Sequence, residues 1–284
     1  MKLAIAAALL AGTGLGLTLP AAAQDTDWAQ VRKEWNEPVA PFTIAGNVHY
    51  VGTAGIAAYL ITTPKGHILI DGAMEESVPQ IVANIAKLGF KLSDVKIMLI
   101  NHAHWDHTGG LAQLKKLTGA RLLASAGDKP ALEAGVADYR PDLEAFAKVK
   151  VDGLLTDGQP ITLGGTTLTT HLTPGHTKGC TSWTMRAGGL NLIFACSITV
   201  ADQPLVKGKG YDAAVSDFRA TFAKLKTVKA DVFLNFHPGG FDMEEKRKRL
   251  VAGDKRAFVD AGELRRRVDA AEASFEKEVA AQKH

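Results

Sequence analysis

Residues 101–110 read Asn-His-Ala-His-Trp-Asp-His-Thr-Gly-Gly, directly after the apolar run Asp94-Val-Lys-Ile-Met-Leu-Ile100. The run has the near-continuous apolar character of a strand buried on both faces. The stretch from Gly109 to Gly119 carries apolar residues at helical spacing, and "ARLLAS" (120–125) has strand character. A buried strand, a short polar loop and a helix form an α/β unit. Such folds place ligands on that loop, at the carboxyl end of the strand.

The rest of the chain repeats this grammar. "NVHYVG" (47–52), "IAAYLITT" (56–63) and "GHILIDG" (66–72) are predicted strands, separated in part by the Pro64-Lys65-Gly66 turn. "VPQIVANIAKLGF" (78–90) is a predicted helix with Gly89 near its end. Residues 128–150 read as a helical, surface-exposed stretch. A second strand-rich region begins at Val151 and includes "TSWTMRAGG" and "LNLIFACSI". Helix returns at 212–228, "ADVFLNF" (230–236) is one more buried strand, and the tail from Ala261 is an amphipathic helix. Strands followed by helices, twice, suggest two similar halves. Asp25–Val39, with Trp28 and Trp35, reads as a lead-in helix or arm.

The first 23 residues stand apart. Lys2, an apolar stretch to Leu19, Pro20 and Ala21-Ala22-Ala23 have the form of a secretory signal peptide cleaved after Ala23, against the alternative of a membrane anchor. No later run reaches the ~18 apolar residues that span a bilayer. The expectation is therefore a single exported domain, 24–284, soluble in the periplasm. Its 46% hydrophobic and 22% charged residues suffice for a globular core. The net charge of +3 is too mild to argue for a nucleic-acid partner. Lys246-Arg247-Lys248-Arg249, after Glu244-Glu245, reads as a solvated helix face. Cys180 and Cys196 can be a disulfide in an exported chain or two buried thiols.

His102 and His104, two apart on an extended segment, point the same way. Asp106 and His107 follow where the chain turns. Imidazole and carboxylate are donors that zinc accepts outside thiolate sites. A catalytic zinc uses three protein donors and keeps a position for water, so four local donors exceed one ion's need. His176, in "TPGHTKG", and His237, in "NFHPGG", each stand in a loop after a strand. Six donors are enough for two zinc ions with three each. His49, His67 and His171 read as strand residues, His284 is terminal, and Trp105, between the donors, reads as a packing residue in preference to a lining of the groove. Ser93-x-x-Lys96 fits a serine β-lactamase signature, but no S-D-N or K-T-G accompanies it.

His102-x-His104-x-Asp106-His107, with His176 and His237, resembles the metallo-β-lactamase superfamily. "THLTPGHTKGCTSWT", "HPGGFDMEEKRKRL", "YVGTAGIAAYLITTPKGHILIDG" and "YDAAVSDFRATFAKLK" are similar to the class B β-lactamases of the third subclass, over essentially the whole mature chain. The resemblance implies an α/β fold, a four-layer αββα sandwich with a dinuclear metal site at one edge of the sheets. It implies that His102, His104 and His176 bind one Zn2+ and Asp106, His107 and His237 another. It also implies hydrolysis of the β-lactam amide bond of penicillins, cephalosporins and carbapenems by a metal-bound hydroxide, with Asp106 orienting it, and so antibiotic resistance. Ser197 and Thr199 would hydrogen-bond the substrate carboxylate, or be ordinary strand hydroxyls. Asp71, in "LIDG", would support the metal ligands, or be a plain turn residue. The key position after the fourth histidine aligns with Ser197 and not Cys196, which leaves no bridging carboxylate and is compatible with a Cys180–Cys196 bridge. The partner is then a small-molecule β-lactam and the chain a monomer. The alternative is a zinc hydrolase of another cyclic ester or amide, such as an acyl-homoserine lactone.

Overall fold

The computed structural model describes residues 27–208 and 210–282. The stretch expected to be a signal peptide, with its expected cleavage point, and His284 lie outside them. Two mixed sheets face each other. The first contains, in spatial order, β1 (Phe42–Ala45), β2 (Val48–Tyr50), β3 (Tyr59–Thr63), β4 (Gly66–Ile70), β5 (Val95–Leu99), β6 (Arg121–Ser125) and β7 (Gly153–Leu155). The second runs from β8 (Pro160–Leu163) through β9 (Thr166–Leu172), β10 (Thr181–Ala187) and β11 (Leu190–Ala195) to β12 (Val232–Asn235). β1–β4 pair antiparallel and β4–β7 parallel, while β8–β11 pair antiparallel and β11–β12 parallel.

The helices are α1 (Trp28–Trp35), α2 (Val78–Lys87), α3 (Trp105–Thr108), α4 (Leu111–Thr118), α5 (Lys129–Ala134), α6 (Ala214–Leu225), α7 (Met243–Val251) and α8 (Glu263–Ala281). The strands of the first sheet show why they must be covered on both sides. Tyr59, Ile61, Ile68 and Ile70 belong to the core shared with Trp183, Phe194 and Leu234 of the second sheet. The intervening Leu60 and Leu69 pack instead with Val78, Ile81 and Ile85 of α2 and Leu111 and Leu114 of α4. Period-two alternation of apolar residues thus divides between two cores. On the far side of the second sheet, Phe218 and Phe222 of α6 meet Phe275 of α8 at centroid separations of 4.9 and 5.5 Å. The layers are αββα, as expected, with residues 42–155 and 160–281 supplying one sheet each.

Two local expectations change. Residues 128–150 are not one exposed helix. α5 is six residues long and ends at Gly135, in the left-handed region at φ 78°. Pro141 then disfavours a return to helix. The following segment folds back and buries Ala137, Tyr139, Arg140 and Val149. The basic run of α7 is only partly a solvated face. Lys248 and Arg249 are exposed, but Lys246 is buried and its Nζ donates to Glu263 Oε2 at 2.5 Å.

Candidate metal centre

β4 and β5 run parallel, as do β11 and β12, and β9 points the same way as β11. The segments leaving these five strands at their carboxyl ends converge. β4 leads to Asp71, β5 to residues 101–107, β9 to His176, β11 to Cys196–Thr199 and β12 to His237. The two sheets are joined there by backbone bonds from Ala57 N–H to the Phe236 carbonyl at 2.9 Å and from Thr181 N–H to the Asn101 carbonyl at 2.8 Å.

His102, His104 and His176 face one another, with ring centroids 4.5–4.7 Å apart. One ring nitrogen from each lies within 4.8 Å of the other two. The second group is tighter. His107 Nε2 is 3.2 Å from Asp106 Oδ2 and 3.2 Å from His237 Nε2, and His237 Nε2 is 3.4 Å from the same Asp106 oxygen. His102 also lies within metal-bridging reach of Asp106 and His107, so the two groups share one cluster.

The orientation of the rings fits donors aimed at cations. His176 Nδ1 donates to the Thr199 carbonyl at 2.7 Å, leaving Nε2 as the free acceptor. His107 Nδ1 lies 2.9 Å from Asp71 Oδ2, which turns its Nε2 toward Asp106 and His237. His104 Nε2 is buried without any hydrogen-bond partner. Buried polar atoms are seldom left so unless something else engages them. Burial holds His102 and His104 well below the ordinary histidine pKa and lowers His176 and His237 to about 4. These rings are neutral, as metal ligands must be. His107 differs. Burial opposes its charge, but Asp106 and Asp71 outweigh burial and push it up to about 10. Asp106 is held well below the carboxylate range, against burial, chiefly by His107. The pair of carboxylates thus calls for positive charge at this position, which a divalent cation would satisfy.

Asp71 is fully buried at φ 77°, with Oδ1 accepting the Ala73 N–H at 2.8 Å and Oδ2 accepting from Asn101 as well as His107. It holds Asn101 and His107 from behind the cluster. Cys180 and Cys196 are bridged, with Cα atoms 5.9 Å apart. Cys196 therefore stands below the site as structure, while Ser197 lines the groove with its Oγ 3.0 Å from Thr199 Oγ1. His49 and His171 lie away from the cluster, bonded to strand threonines (Thr43 and Thr62, and Thr184). Ser93 is exposed, and Lys96 Nζ donates to its carbonyl, not its hydroxyl.

Five of the donors, all but the fully buried His107, line a groove of about 430 Å³. Trp105 both packs, half-buried against the core below α2 and α4, and faces this groove. Its ring stacks on Trp35 at 6.2 Å, carries the Arg32 guanidinium at 4.7 Å and lines the groove. Trp28 and Trp35 line the same wall, and Trp35 lies 5.3 Å from the His237 ring. Arg140, Leu143 and Glu144 also line it. Arg32 donates to Glu144 at 2.5 Å while pairing with Glu76 at 2.9 Å. Sequence reasoning missed these walls. The tryptophans of the lead-in helix were its one signal.

Six metal-type donors at the carboxyl ends of strands from two facing sheets, in a groove open to a small molecule, define a metal-dependent hydrolase of the αββα class. Residues 51–237 match the family model of the metallo-β-lactamase superfamily, and the chain belongs to that superfamily. Among solved structures, it is 47% identical to BJP-1, a subclass B3 metallo-β-lactamase of Bradyrhizobium japonicum. That match covers 89% of this chain and 98% of the other, with a TM-score of 0.84. The native FEZ-1 metallo-β-lactamase from Legionella gormanii is 39% identical over 87% of this chain and 98% of its own, also at 0.84. Among curated relatives, the N-acyl homoserine lactonase AttM of Azorhizobium caulinodans is 28% identical over 203 residues, 60% of this chain and 75% of that one.

Proposed function

We propose that this chain is a periplasmic metallo-β-lactamase that opens the β-lactam ring with two zinc ions, and so confers resistance to such antibiotics. The observation that carries the reading is the pair of donor triads on one cluster, beside the Ser197–Thr199 hydroxyl pair. The similarity along nearly the whole chain to two subclass B3 enzymes supports it. His102, His104 and His176 would hold one zinc, and Asp106, His107 and His237 the other. Zinc, when bound, lowers the pKa of water to roughly 7 and polarises a carbonyl.

The chain's own groups do the rest. Asp106, held ionised beside His107, would orient a water at the cluster with its carboxylate. Ser197 and Thr199 donate to the substrate carboxylate and fix its distance from the cluster. The Trp28, Trp35 and Trp105 wall covers the apolar body of the substrate and excludes bulk water. No side chain is required as a covalent nucleophile. Residues 1–23 act as the export signal, and 24–284 form one domain that works as a monomer on a small-molecule substrate.

A second reading, hydrolysis of an acyl-homoserine lactone, is favoured by the lactonase relative. The two separate in one experiment. Purified protein is given a carbapenem and a long-chain acyl-homoserine lactone in parallel. A kcat/KM at least tenfold higher on the carbapenem is expected, and the reverse order overturns the β-lactam assignment.

A further inference from the structure

Asp128 is fully buried on the turn between β6 and α5 and does not line the groove. Its carboxylate accepts three hydrogen bonds from two different loops. Oδ2 takes the Ala103 backbone N–H at 3.0 Å and the Thr177 hydroxyl at 3.0 Å. Oδ1 takes the Gly179 backbone N–H at 2.9 Å. Ala103 stands between His102 and His104, and Thr177 directly follows His176. One carboxylate thus joins both segments that carry the first histidine triad.

The surroundings show how closely the loops are drawn together. A Cβ on Gly179 would stand 2.1 Å from Ser125 Oγ and 2.3 Å from the Asp128 backbone nitrogen. A Cβ on Gly127 would stand 2.2 Å from the Lys178 carbonyl oxygen. Ser125 Oγ donates to the Gly179 carbonyl at 2.7 Å, so the end of β6 holds this loop at two points.

We infer that Asp128 is a positioning residue for the first metal position. It fixes the separation of the 101–107 and 173–180 loops, so that His102, His104 and His176 are spaced to receive a cation, and it touches neither cation nor substrate. All three of its partners are donors. A carboxylate satisfies them together, whereas a carboxamide has one acceptor oxygen and turns an NH2 group on at least one donor. The inference rests on the ligand set proposed above.

The test titrates metal-free protein with Co2+, following visible absorption and the rise in Tm that the metal produces. Wild type is expected to show two binding events. In Asp128→Asn one event weakens about 10–100-fold, the range for groups that support a metal ligand from behind, and the other stays within about threefold. The metal-induced rise in Tm shrinks accordingly. A purely structural role would lower the Tm of metal-free and metal-loaded protein equally and leave that rise intact, which overturns the inference. Thr177→Val, which removes one donor, is expected to repeat the effect more weakly, and Thr177→Ser to restore it. These two decide the matter if Asp128→Asn does not fold, and Thr177→Val with both wild-type affinities overturns it. A wild-type chain that binds fewer than two Co2+ ions overturns the ligand set itself, and with it the inference, before any variant is compared.

Discussion

Asp71 and His107 meet 2.9 Å apart with no solvent access to either side chain. One nitrogen of the histidine is thereby committed to the carboxylate, and the other faces Asp106 and His237. Asp71 directly follows β4 and His107 lies in α3, on the segment that leaves β5, so their contact follows from the parallel pairing of those strands.

The expected consequence of Asp71→Asn is a metal affinity reduced about 10–100-fold, with the fold retained. Asparagine tolerates the left-handed backbone that Asp71 adopts at φ 77°, which alanine would not. Metal content after dialysis against graded zinc buffers, with circular dichroism as the control for folding, measures this. Unchanged zinc retention would show that Asp71 does not support the site.

α1 buries none of its own residues and is held over the groove by Arg32 and the three tryptophans. The ion pairs are 28–57% exposed and screened, worth well under ~1 kcal/mol each, and the guanidinium over Trp105 adds about 0.5–1 kcal/mol. Arg32→Ala is expected to raise KM for a β-lactam by roughly three- to tenfold, with kcat within about twofold. Steady-state kinetics checks the split. A fall in kcat alone would mean that α1 acts on the chemistry and not on binding.

The same docking carries a pH signature. Burial pushes the Glu76 carboxyl up, but the hydrogen bond from Arg32 and its charge win and hold it below its ordinary value of 4.5. A depressed carboxylate stabilises the docked state fully above the undocked value and loses that contribution as pH falls through the docked one. Tryptophan emission is therefore expected to be flat from pH 7 to 5 and to change below about 4.5. The difference from Glu76→Gln isolates this group from the histidines, and a transition near neutrality in that difference would contradict it.

The Cys180–Cys196 bridge closes a loop with a sequence separation of 16. Loop closure of this size stabilises by about 3 kcal/mol in the chain-entropy account. Replacing both cysteines by alanine is expected to cost about 2–4 kcal/mol in urea unfolding of the metal-free protein. A loss below about 0.5 kcal/mol would mean that the packing under His102 does not depend on the bridge.

The donors were legible in the sequence because their chemistry is local. His102, His104, Asp106 and His107 fall within six residues, and His176 and His237 each follow a recognisable strand. The strands were legible for the same reason, since period-two and continuous apolar runs report burial directly. The groove walls were not. Arg32 is 44 residues from Glu76 and 112 from Glu144, and α1 has no apolar stripe of its own to announce where it docks. Arg140 and Leu143 lie in a segment whose residues suggested a helix; Gly135 and Pro141 are local stop signals, but nothing local shows that the chain after them turns inward to the groove. Asp128 was silent for a related reason, since its three partners come from loops 25 to 51 residues away.

The most direct test of the central claim is carbapenem hydrolysis by purified 24–284, before and after removal of metal by a chelator. Rapid turnover is expected, abolished by chelation and restored when two equivalents of Zn2+ are returned. Absence of turnover in protein shown to hold two zinc ions would contradict the β-lactamase assignment, and turnover that survives complete metal removal would contradict the role given to the six donors.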